Sequence, residues 1–393
     1  MKFIRDILDN IKPHVQKGGK FEKFHSTFDS IETLFFVPDH VTKVGAHIRD
    51  AMDLKRNMFM VVIALVPALL FGMWNVGYQN AMSTGLEATL MEMFFFGFLR
   101  VLPIIIVSYV VGLGVEILFA QMRGHEVNEG YFVTGMLIPL IVPVDTPLWM
   151  VAVAVIFAVI IGKEVFGGTG MNIFNPALIA RAFLFFAYPS SMSGDKIWIN
   201  GMTEGTGVID GFSGATPMAQ LTSGAIPNDL ILGFSDKHMS AFDMFMGWIP
   251  GSIGETSTLA ILIGAVILLL TGIANWKVML SVFAGGFIMG SIFNLFAVNS
   301  YMEIPAYYHL VMGGFAFGAV FMATDPVTAS QTETGKIIYG LLIGVIAVLI
   351  RVVNPAYPEG MMLAILFMNT FAPLVDYYVV GANIKKRLKR SKA

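Results

Sequence analysis

Ten apolar segments dominate the sequence and decide its class of fold. A helix that crosses the hydrocarbon core of a bilayer needs about 20 predominantly apolar residues. The segments that meet or approach this length are 57–79, 91–120, 130–144, 147–162, 175–188, 255–274, 277–298, 306–322, 336–352 and 361–380. Only 13% of the residues are charged, whereas about 25% is usual in soluble domains. The sequence therefore predicts an all-α polytopic membrane protein with about ten transmembrane helices.

Some of these segments are too short for a comfortable crossing, notably 130–144 and 175–188. Helices interrupted by Pro or Gly are tolerated at membrane depth only where protein or a water-filled cavity surrounds them. The regions 130–188 and 314–378 also share the order of their elements. Each has a Gly-rich apolar piece, a turn with Pro and Asp, an apolar helix, a Gly-rich turn and a second helix with an Asn near its start. We therefore expect broken helices, and two five-helix inverted repeats would account for this order.

Basic residues are distributed very unevenly between the two sides of such an arrangement. With the N-terminus inside and ten spans, twenty of the 25 Lys and Arg residues lie on the inner side and three on the outer side. Because Lys and Arg accumulate in cytoplasmic loops, both termini are predicted to be cytoplasmic. The expected regions are a cytoplasmic arm without a signal peptide (1–56), a first membrane repeat (57–188), an extracytoplasmic loop (189–254), a second membrane repeat (255–380) and a basic cytoplasmic tail (381–393).

The arm begins with an amphipathic pattern. Phe3, Ile4, Ile7, Leu8 and Ile11 share one helical face, opposite Lys and Asp residues. Such a helix can lie on the membrane or on a neighbouring protein of a complex. The alternative is a lid over a site near the cytoplasmic surface.

Composition excludes several classes of function. A net charge of −2 argues against a basic nucleic-acid binder, and the absence of Cys excludes disulfides, thiolate metal sites and iron–sulfur clusters held by this chain alone. No two of the seven His residues are spaced i, i+3 or i+4 within a span, which argues against haem ligation. Phosphate-binding and dinucleotide fingerprints are also absent, so the sequence predicts no nucleotide site of these types. An electron carrier on this chain would have to be organic.

Two loops carry residues suited to chemistry. The stretch DGFSGAT at 210–216 surrounds the Thr216 hydroxyl with small residues, which leaves it open to a modifying enzyme, although an ordinary Gly/Ser loop has the same composition. The stretch GGTGMNIFNP at 167–176 combines Gly residues, which allow a flat ring to approach the backbone, with Asn side chains that donate and accept hydrogen bonds. Asn175 before Pro176 is a favoured start of a helix. The alternative is a broken helix needed only for packing.

Three acidic residues lie in or beside apolar spans. Glu116 and Asp376 fall within predicted helices, and Asp325 lies at a break between two of them. A carboxylate in hydrocarbon costs on the order of 3 kcal/mol, so a functional role is the first hypothesis. Carboxylates at helix breaks are suitable ligands for a hard cation such as Na⁺, which makes these residues candidates for a sodium pathway. The alternatives are an interfacial position for Glu116, pairing with the basic tail for Asp376 and capping of the Pro326 turn for Asp325. Arg100 and Arg181 are expected to neutralise buried acids or an organic electron carrier rather than to serve as ion ligands.

The sequence resembles the NqrB family, the membrane flavoproteins of the sodium-translocating NADH:quinone oxidoreductases, along essentially the whole chain. The homologous RnfD proteins of the Rnf complex are paralogues, and residues 18–39 favour the NqrB family. The stretches that carry the resemblance are HEVNEG (125–130), KEVFGGTGMNIFNPALIARAFLFFAYP (163–189), SGATPMAQ (213–220), IPGSIGETSTLA (249–260), GGFAFGAVFMATDPVTAS (313–330) and RVVNPAYPEGMMLAILFMN (351–369).

This resemblance implies two flavins and a fold similar to that of urea transporters. DGFSGAT looks like the motif on which a flavin transferase esterifies FMN to the last Thr, here Thr216, with Ser213, Gly214 and Ala215 as its neighbours. Riboflavin would be held without a covalent bond. The candidate contacts for riboflavin are Gly168, Gly170, Asn172 and Asn175. Quinone access is implied at Gly112 and Gly114, which by themselves read as small residues for helix packing.

The implied activity is that of NADH:ubiquinone reductase (Na⁺-transporting), as one membrane component of a complex in the bacterial inner membrane. Electrons would arrive from the FMN-bearing NqrC, after NADH oxidation on NqrF, and would pass through both flavins to quinone while Na⁺ is exported. NqrA, the membrane proteins NqrD and NqrE, membrane lipid and the flavin transferase are the other implied partners. The rival hypotheses are a flavin-free channel or secondary transporter and a scaffold protein without a cofactor.

Overall fold

The computed structural model describes residues 2–15, 54–123, 130–203, 205, 207–299, 301–354 and 360–391, with a few single positions between 19 and 45. The helices are α1 (Lys2–Val15), α2 (Leu54–Thr84), α3 (Leu90–Arg123), α4 (Tyr131–Leu140), α5 (Leu148–Gly162), α6 (Pro176–Ala187), α7 (Pro217–Thr222), α8 (Ala241–Met246), α9 (Thr258–Leu270), α10 (Trp276–Leu295), α11 (Tyr308–Val311), α12 (Phe315–Phe317, continued by a π-helical turn Gly318–Met322), α13 (Glu333–Val353) and α14 (Met361–Ser391). Single 3-10 turns are Glu164–Phe166, Pro189–Ser191 and Pro227–Asp229. Residues 124–129 and 355–359, which carry part of the family resemblance, lie outside the described residues.

Six helices in the described part of the chain are long and apolar enough to cross a membrane: α2, α3, α5 with its following turn, α10, α13 and α14. They coincide with six of the predicted segments. The other four segments form shorter helices, since α4, α6 and α9 have 10, 12 and 13 residues, and 306–322 is divided between α11 and α12. A polytopic membrane protein is thus confirmed, and so are short helices at 130–144 and 175–188. Ten crossings and an inverted repeat stay predictions.

Side-chain caps mark where the short helices begin. At the start of α6, Asn175 Oδ1 accepts hydrogen bonds from the amides of Ala177 (3.0 Å) and Leu178 (3.3 Å), as predicted for an N-cap before Pro176. Ser257 caps α9 by accepting from the amide of Ala260 (3.2 Å). These bonds satisfy N–H groups that a helix start otherwise leaves without partners.

Strands are confined, among the described residues, to one antiparallel pair in the long loop, β1 (Ile231–Leu232) and β2 (Phe234–His238). This pair departs from the all-α prediction. Gly233 joins the two strands with φ +75°, a left-handed conformation that glycine adopts without strain.

The N-terminal helix is present as predicted, and its apolar face is only partly covered. Leu8 and Val15 pack against Phe28, whereas Ile7 and Ile11 are each 43% exposed. The side chains of Phe3 and Ile4 lie outside the described part of the chain. The structure therefore leaves both interpretations of this helix open.

Glycines allow the long helices to approach closely. In the α10–α13 pair, a Cβ atom on Gly285 would lie 2.2 Å from the carbonyl oxygen of Leu341, and one on Gly344 would lie 2.1 Å from that of Val282. Neither helix can therefore carry a larger residue at these points without moving its neighbour. Small residues at the interface are the usual way in which membrane helices gain packing contacts.

We expect Gly344→Val to force α10 and α13 apart and to cost about 1–3 kcal/mol or more, because overpacking displaces backbone. The apparent melting temperature of the detergent-solubilised protein, followed by size-exclusion fluorescence, should fall by several degrees. Gly381→Ala on α14 is the control, since a Cβ atom there meets nothing within 4 Å. Equal melting temperatures for both variants would contradict this account of the packing.

Candidate functional site

Thr216 is the N-cap residue of the short helix α7. Its Oγ1 atom accepts a hydrogen bond from the amide of Ala219 (3.2 Å), and Pro217 occupies the first helical position. Proline suits this position because its missing N–H would be without an intrahelical partner anyway. The half-buried Thr216 hydroxyl is therefore held at a defined point, the positive end of a helix turn.

Gln220, one turn after Thr216, ties this segment to the strand pair. Its Nε2 atom donates to the carbonyls of Ala215 (2.9 Å) and Ile231 (2.8 Å), and its Oε1 atom accepts from the amide of Ile231 (2.8 Å). Gln220 was not predicted as a site residue, although it ends the SGATPMAQ stretch. A signal was available in its i+4 spacing from Thr216, which places it one helical turn away.

The residues before Thr216 are fixed by their backbone. The amide of Ser213 donates to the carbonyl of Gly233 (2.7 Å), and Ser213 Oγ accepts weakly from the amide of Ala215 (3.4 Å). A Cβ atom on Gly214 would lie 2.5 Å from the carbonyl oxygen of Asp195. Only glycine allows this close approach, so the small residues of the motif serve packing as well as access.

A narrow cleft of about 70 Å³ lies beside Thr216. Its walls include Trp198, Ser252, Glu255 and Thr256. The Thr256 hydroxyl oxygen is buried and has no hydrogen-bond partner among the described residues. Room for about two water molecules is available there.

Beneath this cleft, Arg181 is buried against an acid, as predicted. Its Nη1 atom donates to Ser252 Oγ (3.1 Å) and to Glu255 Oε1 (3.3 Å). A buried guanidinium needs such compensation because its desolvation is costly. Arg100 does not form the predicted pair with a buried acid among the described residues. It is exposed, and its guanidinium group lies over the ring of Phe96.

A second and larger cavity, of about 460 Å³, lies beside the 167–176 turn. This volume falls within the range of small-molecule sites. The cavity brings together three predicted cofactor contacts and one predicted sodium ligand, which are Gly170, Asn172, Asn175 and Asp325. Asn57, Thr134, Lys163, Thr169 and Thr324 add polar groups, and Leu137, Leu268, Ile273, Phe321 and Val327 are among the apolar ones.

Several polar groups of this cavity wall have unused hydrogen-bonding capacity. Asn57 Oδ1 and Thr169 Oγ1 are buried and have no partner within the part of the chain that the structure describes. Asn172 donates to the carbonyl of Phe174 (3.0 Å), which leaves its amide oxygen available as an acceptor. Buried groups of this kind are costly unless a ligand or ordered water satisfies them. The wall is therefore fitted to a ligand with both donors and acceptors.

Gly168, the other predicted contact, does not line this cavity as Gly170 does. Both adopt left-handed conformations, with φ +100° and +86°. A Cβ atom on Gly168 would lie 3.8 Å from Glu164 Oε1. Gly168 therefore belongs to the turn itself and not to the cavity wall.

Asp325 faces the cavity and also caps the turn at Pro326. Its carboxylate accepts from the amide of Val327 (3.0 Å), from Thr328 Oγ1 (3.2 Å) and from Asn175 Nδ2 (3.4 Å). Ion pairs among the described residues do not include Asp325. Both interpretations of this residue are thus compatible with its geometry.

Glu116 is buried and forms an ion pair with Lys163, which itself lines the large cavity. The Glu116 side chain is only 4% exposed, so its carboxylate is compensated by Lys163 and not by solvent. An interfacial position near the cytoplasmic end of the span stays a prediction. The next residue after Lys163, Glu164, is paired with Arg123 (Nη1 to Oε2, 2.9 Å). Sequence reasoning missed both basic partners, since they are distant along the chain.

The two quinone candidates lie in different surroundings. Gly112 is covered by the ring of Tyr131, whose hydroxyl donates to the carbonyl of Ser108 (2.9 Å). A side chain at Gly112 would collide with this ring, which favours the packing interpretation. A Cβ atom on Gly114, by contrast, would meet nothing within 4 Å, so this position is open to the surroundings of the helix.

Asp376 lines neither of these cavities. Its carboxylate accepts four hydrogen bonds, from Ser330 Oγ (2.6 Å), the amide of Gln331 (2.7 Å), and the hydroxyl (2.6 Å) and amide (3.0 Å) of Thr332. These donors directly precede α13, so Asp376 supports the start of that helix. Pairing with the basic tail is not found among the described ion pairs.

Comparison with known proteins places this arrangement in a family. The family model described as "NQR2, RnfD, RnfE family" matches residues 41–385. The chain belongs to this family. It is 48% identical to the B subunit of the Na(+)-translocating NADH-quinone reductase of Chromohalobacter salexigens, over 99% of this chain and 97% of that protein. The proteins of the same name from Ectopseudomonas mendocina and Azotobacter vinelandii are 50% and 48% identical, over 99% of each chain.

We expect Gln220→Leu to loosen the Thr216 segment, because the buried carbonyl of Ala215 and the partly buried carbonyl and amide of Ile231 lose their partner, at up to about 1–3 kcal/mol per group. Trypsin should then cleave after Lys196 or Lys237 at least tenfold faster. Thr203→Val in the same loop is the control, since it removes only one long, exposed hydrogen bond (3.4 Å). Unchanged cleavage in the Gln220 variant would show that the segment is held by other contacts.

Proposed function

We propose that this chain is the membrane component of a sodium-translocating NADH:quinone oxidoreductase that holds one covalent and one noncovalent flavin. The observation that carries the proposal is the pairing of a helix-capping Thr216 in a flavin-attachment motif with a separate ligand-sized cavity beside Asn172 and Asn175. The names of the relatives, which refer to sodium translocation and to NADH-quinone reductase, support the overall activity.

Thr216 would hold FMN through a phosphoester at Oγ1. The hydroxyl is half-buried at the start of α7, where the hydrogen bond from the amide of Ala219 holds it at a fixed point. Ser213, Gly214 and Ala215 leave little side-chain bulk beside it. Gln220 would keep the segment in one conformation both before and after the flavin transferase acts.

Riboflavin would occupy the large cavity. Its flat ring presents donors and acceptors along one edge, which match the free oxygens of Asn57 and Thr169 and the amide of Asn172. When bound, the flavin supplies the capacity to take up and pass on electrons. The residues of this chain orient it, exclude water with apolar side chains such as Phe321, and set the charge around it.

The second half of α3 would contribute to the quinone site through Gly114 and to the sodium pathway through Glu116. Gly114 offers an open helix surface to a quinone, and Gly112 lies two residues earlier on the packed face. Glu116, Asp325 and Asp376 are the proposed acidic residues of the sodium pathway. Of these, Asp325 faces the flavin cavity and Glu116 is joined to it through Lys163.

The proposed setting is the bacterial inner membrane, in a complex with NqrA, NqrC, NqrD, NqrE and NqrF. NqrF would oxidise NADH, and NqrC would deliver the electrons to the flavin on Thr216 on the extracytoplasmic side. Both termini would be cytoplasmic, in keeping with the distribution of Lys and Arg.

Thr216→Asn tests the covalent flavin. Asn is as good an N-cap as Thr, so α7 should form, but the hydroxyl that carries the phosphoester is gone. In a host that contains the flavin transferase, the denatured band of the wild type should fluoresce as a flavin and that of Thr216→Asn should be dark. Thr216→Ser keeps both cap and hydroxyl and should fluoresce.

The same preparations test the noncovalent flavin. Acid should release about one flavin per chain from the wild type and an equal amount from Thr216→Asn, because the two sites share no residue. A dark wild-type band or an acid supernatant without flavin would overturn the corresponding half of the proposal.

The absence of native Cys makes single-cysteine labelling a direct test of orientation. Lys196 and Lys386 are both exposed, one in the long loop and one in the tail. A membrane-impermeant maleimide should label Lys196→Cys in intact spheroplasts and Lys386→Cys only after permeabilisation. The opposite pattern would place the termini outside.

A further inference from the structure

Lys163 stands between two sites that the proposed function uses separately. Its ammonium group pairs with the buried carboxylate of Glu116 on α3, and the same side chain forms part of the wall of the flavin cavity. Both partners are almost fully buried, with 5% and 4% of their side-chain surfaces exposed. A charge that enters the cavity therefore acts directly on this ion pair, with little screening by solvent.

The backbone at Lys163 is anchored, whereas its side chain is long and flexible. The carbonyl of Lys163 accepts from the amides of Phe166 (3.2 Å) and Gly168 (3.1 Å), and Arg123 Nη2 donates to the carbonyl of Glu164 (2.6 Å). A lysine ammonium is a compact charge on a four-carbon stem with rotatable bonds. The ammonium can thus change partners without movement of the helices.

The cavity already contains an acid that no ion pair neutralises within the described residues. Asp325 is held by neutral donors only, from Val327, Thr328 and Asn175. Further negative charge in the cavity would attract the Lys163 ammonium group more strongly toward the cavity. Glu164 cannot compete for Lys163, because Arg123 is bound to it.

We propose that Lys163 is a tethered cation that occupies the place of sodium at Glu116 and leaves it when negative charge enters the cavity. An electron that reaches the cavity draws the ammonium away from Glu116 without proton transfer. The exposed carboxylate then takes up one Na⁺, so that the added negative and positive charges balance. When the electron leaves, the ammonium returns and displaces the ion. This inference rests on the proposed function and adds a coupling step to it.

A purely structural role makes a different prediction. A static ion pair would only fasten α5 to α3, and loss of either partner would then weaken the protein without a specific change in sodium binding. The two accounts differ in the direction of the effect, because removal of a competitor strengthens sodium binding.

The test measures binding of radioactive sodium to the assembled complex in its oxidised and dithionite-reduced states. The wild type should bind sodium at least tenfold more tightly at this site when reduced. Lys163→Gln should bind it equally tightly in both states, and Glu116→Gln should lose the site in both. The double variant should match Glu116→Gln alone, since Lys163 acts only through that carboxylate. Lys277→Gln, which removes a lysine that pairs with the exposed Glu333, is the control and should behave like the wild type.

Two results would overturn the proposal. In the first, Lys163→Gln still binds sodium more tightly when reduced than when oxidised, as the wild type does. In the second, oxidised Lys163→Gln binds sodium as weakly as the oxidised wild type. If Lys163→Gln does not assemble, Lys163→Arg serves instead, because its planar fork keeps hold of the carboxylate and should abolish the tightening on reduction. A persistent tightening in Lys163→Arg would also overturn it. Flavin content is measured in every preparation, so a complex with both flavins but no Lys163 effect rejects this inference and leaves the proposed function standing.

Discussion

The structure depends on how backbone N–H groups are satisfied where helices start within a predominantly apolar chain. Hydrocarbon offers no hydrogen bonds, so each such start needs donors and acceptors from the chain itself. Asn175 and Ser257 provide them for α6 and α9, and Thr332 with Asp376 does so for α13. Polar side chains are thereby concentrated at the helix breaks. The candidate sites lie at these breaks because that is where polar groups already have to be.

The same residues serve structure and chemistry together. Asn175 caps α6 with its oxygen and reaches Asp325 with its nitrogen. Thr216 caps α7 with the hydroxyl that the flavin would esterify. A substitution at either position would disturb the helix start as well as the proposed flavin site, so variants that preserve the cap are needed to separate the two effects.

Buried charge is the second organising feature. Glu116 with Lys163 and Glu255 with Arg181 form pairs in which no side chain is more than 10% exposed. Breaking such a pair leaves an uncompensated charge, which costs several kcal/mol, whereas the intact pair contributes little net stability. Both pairs lie beside a cavity, since Glu255 lines the narrow cleft and Lys163 lines the larger cavity.

The sequence by itself determined the apolar spans, the short helices, the cap at Asn175, the motif around Thr216 and the family. These follow from local rules, since hydropathy, cap chemistry and motif spacing act over a few neighbouring residues. Only the tertiary structure decided that Lys163 pairs with Glu116, that Gln220 holds Ala215 and Ile231, and that Tyr131 covers Gly112. It also placed Asp325 on the cavity beside Asn175, 150 positions earlier in the chain. Such contacts join residues far apart in the sequence, and their geometry depends on how whole helices pack.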